Sequence, residues 1–166
     1  MLGFLTGRRS TRGGVAKRAK KSRRLSPSAQ AYQRYKSEAK RVIVAEVANL
    51  AAREGFTYGR IAIRNQKRSW GSCSSLGNLN FSYKLLFLPI CLREYIIVHE
   101  LCHLRELNHS PQYWAEVAKI MPDYQVRLQS LRHHERTRGT SIAVLQKWQR
   151  EHSEVGACQH CRVDKI

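Results

Sequence analysis

The stretch VHELCHLRELNHS, Val98 to Ser110, sets the tightest limit on how this chain folds. His99 and His103 stand four residues apart, so on a helix their imidazoles project from one face about one turn apart. His109 follows just before Ser110-Pro111, which pairs an N-cap residue with Pro at the first helical position. One helix must therefore end between Arg105 and Ser110, the chain must turn, and a second helix must begin.

Two imidazoles on one helical face can grip a single metal ion. Glu100, next to the first of them, is placed to reach a water on that metal and suits a general base. A catalytic zinc takes three protein ligands and keeps one position for water, and His109 is the candidate third ligand. An HExxH string arises by chance in roughly one chain of this length in a few hundred. The helical pattern, the apolar approach YIIV and the third histidine all weigh towards a metal site with His99, His103 and His109 as ligands.

The surrounding pattern is mixed helix and strand. Ser26-Pro27 opens a long amphipathic helix with apolar positions at Tyr32, Tyr35, Ala39, Val42, Ile43, Val47 and Leu50, and Gly55 ends it. GRIAIRNQ and GNLNFS alternate as short strands, and SWGSCSSLGN between them reads as a turn-rich connection anchored by Trp70. A helix is expected from Leu92, one from Ser110 with Tyr113, Trp114, Val117, Ile120 and Met121 on its apolar face, and one from Pro122-Asp123 bearing Val126, Leu128 and Leu131 up to Gly139. SIAVLQKWQREH suggests a last helix.

Charge divides the chain. Residues 1–26 carry nine basic and no acidic residues and read as a disordered basic arm; an organelle transit peptide has the same character. Residues 27–152 read as one domain and 153–166 as a Cys-bearing tail. The formal charge of the whole is +18, and the part after the arm still holds 21 basic against 12 acidic groups. Such a field attracts polyanions, so nonspecific nucleic-acid association through the arm is expected alongside simple solubility.

No apolar run approaches the roughly 20 residues of a membrane span, and MLGFL is too short for a signal core. A cytoplasmic, monomeric protein is the expectation, without membrane contact. Five cysteines argue against a disulfide scaffold, with Cys73, Cys91 and Cys102 read as buried thiols. Cys158 and Cys161 have CxxC spacing near His152 and His160 but lack a fourth good ligand, so they read as part of a thiol-bearing tail. His133 and His134 read as a solvated helix end, and Trp70 and Trp114 as core residues.

RNQKRSWGSCSSLGNLNFSYKLLFLP followed by REYIIVHELCHLRELNHSPQYWAEVAKIMPDY resembles the YgjP-like (DUF45) metallopeptidase-type domain over about residues 30–135. The resemblance implies an α+β, compact zincin-like fold related to the SprT-like and minigluzincin-like groups. In it a small, mainly antiparallel sheet packs on the helix carrying His99, Glu100 and His103. It also implies Zn2+ completed by His109, and an edge strand around Asn78 to Phe81 that holds a peptide or protein substrate in extended form. Two departures stand out. Ser69 precedes the WGSC element where the family commonly has a basic residue, with Arg68 one step earlier. Glu106 stands where HExxHxxGxxH proteases turn on Gly.

The chemistry expected is peptide-bond hydrolysis by a zinc-activated water with Glu100 as base. Arg64, Tyr83 and Tyr124 are the candidate donors to the tetrahedral intermediate. A metal-dependent nucleotide pyrophosphatase is the second reading, although no GxxxxGK[ST] loop is present. A nucleic-acid-associated protein with a structural zinc is the third, and Glu100 speaks against it, because a closed structural site needs no base.

Overall fold

The computed structural model describes residues 25–138. The basic arm up to residue 24, the helix expected over 141–152 and the tail with Cys158 and Cys161 lie outside the described residues.

Ser26 caps the first helix, α1 (Pro27–Glu54), its Oγ accepting from the Ala29 N–H, and Gly55 ends it in the left-handed conformation with φ 68°. The inward face is Ala39, Ile43, Val47, Leu50 and Ala51, spaced as a helix requires. Three short strands follow: β1 (Ile61–Arg64), β2 (Gly71–Cys73) and β3 (Leu79–Ser82). A 3-10 turn, Tyr83–Phe87, leads into α2 (Ile90–Cys102), then α3 (Pro111–Ile120) and α4 (Tyr124–Arg138).

The architecture is α+β, and the sheet order is β1-β3-β2. It is a mixed sheet, where mainly antiparallel pairing was expected: β3 runs parallel to β1, with Ile61 opposite Leu79, and antiparallel to β2, with Gly71 opposite Phe81. The cause is the segment read as a turn-rich connection. Its Gly71–Cys73 part is itself a strand, so β3 returns between β1 and β2 and shares the direction of β1.

That order also moves the sheet edge. The strand around Asn78 to Phe81, expected to be an edge, is central, and β2 is the edge beside α2. The Ser82 N–H donates to Trp70 O and the Ser74 N–H to Asn78 O, so antiparallel alternation turns the N–H and C=O groups of Gly71 and Cys73 to the outer edge.

Helix α2 is apolar on nearly every side, with Leu92, Tyr95, Ile96, Ile97, Val98, Leu101 and Cys102 buried, and it accordingly forms the axis of the molecule. Two of its charged groups, Arg93 and Glu94, are paired. Arg93 Nε donates to Glu46 of α1 at 2.7 Å, and Arg127 of α4 reaches Glu94 at 2.8 Å. One expectation for α4 fails: His134, read as solvated, is buried. His134 faces inward because Leu131 and His134, three residues apart, share the face that packs inward. Among the described residues no helix is long and apolar enough to cross a membrane.

Candidate metal centre

The last full turn of α2 carries His99 and ends at Cys102, with His103 as the C-cap. The chain then tightens: the N–H groups of Leu104, Arg105 and Glu106 fold back on the carbonyls of Leu101 and Cys102. Glu106 thus makes the turn that the related protease pattern assigns to Gly, and no non-glycine residue among those described adopts a positive φ. Arg105 pins this turn from outside. Its guanidinium lies 4.1 Å from the Phe56 ring centroid, donates to Glu54 O and pairs with Glu116 at 2.7 Å.

The turn delivers His109 to the other two histidines. One nitrogen from each of His99, His103 and His109 lies within 4.8 Å of the others, and His99 Nε2 and His109 Nε2 are 3.2 Å apart. A tetrahedral zinc with Zn–N near 2.0–2.1 Å separates its ligand atoms by about 3.3 Å, a spacing that the His99–His109 pair already has. The donor set fits as well. His103 Nδ1 donates to the Glu106 carbonyl at 3.0 Å, which leaves Nε2 with its lone pair. Burial, reinforced by the neighbouring His103 and His109, holds His99 down at about 4, keeping it the neutral imidazole a metal requires. Burial also lowers His103, while its bond to the Glu106 carbonyl acts the other way.

Glu100 lies on the same turn of α2, 6 % exposed and with no hydrogen bond or ion pair among the described residues. Burial alone pushes it up to about 8. The carboxylate runs against β2 at Gly71, where an added Cβ would sit 2.6 Å from Glu100 Oε1. Gly71 is therefore glycine because the Glu100 side chain occupies the volume that any other residue would fill.

An aromatic wall fixes the histidines. Tyr113, fully buried, donates to the His99 carbonyl at 3.0 Å and stacks on His103 with ring centroids 4.5 Å apart. Trp114, expected in the core, instead stacks on His109 at 5.7 Å, and Tyr124 stacks on Trp114 at 5.4 Å. Of the three candidate donors, Tyr124 alone joins this wall. Tyr83 packs beneath α1 against Tyr32, and Arg64 ends β1 on the far side of the sheet.

The model of the YgjP-like, metallopeptidase domain family matches residues 7–134, more than half of the chain. The chain belongs to the YgjP-like metallopeptidase family. Metallopeptidase membership implies a metal, and among the described residues the three histidines of this YgjP-like chain are the group that could hold one. No curated protein matches the chain. Among solved structures it is similar to the metallopeptidase zymogen of Pyrococcus abyssi abylysin, at 24 % identity, 64 % coverage of this chain, 95 % of that one and a TM-score of 0.45.

Gly71, Tyr113 and Trp114 went unrecognised as parts of the site in the sequence. For Gly71 the local signal pointed to a turn, and only the strand Gly71–Cys73 in the structure shows that its glycine serves another purpose. For Tyr113 and Trp114 helical periodicity could show burial but not against what.

Proposed function

We propose that this chain is a zinc metallopeptidase that hydrolyses peptide bonds, with His99, His103 and His109 holding the ion and Glu100 moving the proton. The observation that carries the reading is the convergence of three imidazole nitrogens within 4.8 Å, with the buried carboxylate of Glu100 next to His99 on α2. A zinc ion held there would supply Lewis acidity, acidifying water at an open position and polarising an amide carbonyl.

The chain's own residues do the remaining work. Glu100 takes a proton from the attacking water on a carboxylate oxygen and hands it to the leaving nitrogen. Its burial raises its affinity for that proton, as a base working near neutrality requires. The outward N–H and C=O groups of Gly71 and Cys73 offer an extended peptide two residues of antiparallel pairing directly above Glu100. This places the scissile bond by backbone alone, so the reading gives β2 the part first assigned to β3.

Glu100→Gln tests the assignment. The variant is expected to retain one zinc per chain, measured by atomic emission, and to lose at least about 100-fold in peptide cleavage. Full activity with Glu100→Gln would overturn the base assignment. Hydrolysis of nucleotides by a zinc-loaded chain that leaves peptides intact would overturn the peptidase reading.

A further inference from the structure

At the end of the sheet beyond Trp70 lies a small cavity of about 20 Å³ bordered by Lys67, Arg68, Ser69, Ser82, Lys84 and Glu135, among others. Lys84 is its unusual member. The residue is 8 % exposed, yet its side chain forms no ion pair or hydrogen bond among the described residues. Burial lowers its pKa with no opposing charge to restore it. Glu135, the acidic residue at the rim, forms no ion pair with Lys84; its Oε1 accepts from Trp70 Nε1, another lining residue, at 2.7 Å. Lys67 and Arg68 add two exposed positive charges at the mouth. An ammonium on a side chain largely withdrawn from water is costly unless an anion meets it, and no ion pair meets this one.

We propose that this pocket binds a carboxylate of the peptide substrate, making it an anionic specificity subsite at the end of the edge strand. Two observations select a carboxylate, and a third locates it. The cavity is only slightly larger than a water-sized site of about 10–15 Å³, so it takes a carboxylate oxygen and not a phosphodiester with two substituents. Arg68 at the mouth suits the second oxygen, since a guanidinium pairs with planar carboxylates. Trp70 lines the pocket and Gly71, the next residue, touches Glu100, so the pocket adjoins the end of β2 that lies against the proton-transfer site. The inference rests on the peptidase reading for the path of the ligand along β2. The carboxylate comes either from an Asp or Glu side chain or from the peptide's C-terminus.

The test uses the full chain carrying Glu100→Gln, zinc-loaded so that captured peptides survive. It is offered a randomised decapeptide library in two formats, tethered at the C-terminus as an amide or at the N-terminus with a free carboxylate. Enrichment of Asp and Glu by about tenfold at one position in the amide format identifies a side-chain carboxylate. Capture confined to the free-carboxylate format identifies the C-terminus. In either case Lys84→Met should abolish the preference and Arg68→Gln should weaken it, whereas Lys40→Met on the exposed face of α1 should leave it unchanged. Arg68→Gln touches an exposed residue, so it keeps the test valid if Lys84→Met does not fold. Acidic enrichment spread over all positions, or a preference that survives both pocket variants, would overturn the proposal, as would the absence of carboxylate dependence in both formats. Parallel cleavage assays with unmodified Glu100 report on the peptidase reading separately: binding with this preference but no cleavage would sink that reading and leave the pocket standing.

Discussion

At the scale of single residues, Gly71 shows how a site constrains a position that looks merely permissive. The atoms nearest an added Cβ belong to the Glu100 side chain, which can rotate, and not to backbone. Gly71→Ala should therefore be tolerated by the fold, with a loss of about 1–3 kcal/mol, while the carboxylate is displaced. Zinc content should hold and peptide cleavage should fall by about 100-fold, because misplacing a reacting group by about 1 Å has that effect. Urea denaturation and zinc analysis on the same preparation separate this outcome from simple unfolding. A variant with full activity would show that Glu100 does not need the space it occupies. His109 differs from its two companions: it is exposed, where His103 is buried, and it owes its position to the turn and to the Trp114 ring.

At the scale of elements, the helices were legible because their signals are local. Ser26-Pro27 and Ser110-Pro111 both cap helices as read, and the spacing of His99 and His103 placed both on one helical face, although regular helix stops at Cys102. Strand β2 was not legible, because Gly and Ser in SWGSCSSLGN argue locally for a turn, and only pairing with β3 makes a strand of three residues. Edge and centre were reversed for the same reason: strand order depends on contacts across the chain, about which alternation says nothing. Ser110 joins the capping and metal chemistry in one position, its Oγ accepting from the Tyr113 N–H at 3.2 Å directly after His109. Ser110→Ala should lower stability by about 1 kcal/mol and, by loosening the start of α3, weaken zinc binding several-fold. Competition against a chromophoric chelator measures the second effect. A fall in stability with unchanged affinity would mean that the Arg105 anchor alone sets the turn.

At the scale of the molecule, the three histidines come from the end of α2 and the loop before α3, so an ion bound to them would join two elements that otherwise meet through side chains. Zinc at 100 times its dissociation constant should stabilise the chain by about 3 kcal/mol, on the order of 10 °C in Tm. Calorimetry with zinc and then with a chelator should show that shift, and His109→Ala should remove most of it. An identical shift in the variant would place the ion elsewhere. The order β1-β3-β2 has a further consequence, for the path of folding. The hairpin of β2 and β3 closes over a few residues around Gly77, at φ 71°, so it can form within microseconds of its synthesis. Strand β1 must wait for it, because the partner that β1 pairs with is the last strand made and lies 18 residues downstream in register. The strip of backbone that would carry a substrate is thus assembled with the first hairpin, before the sheet to which it belongs is complete.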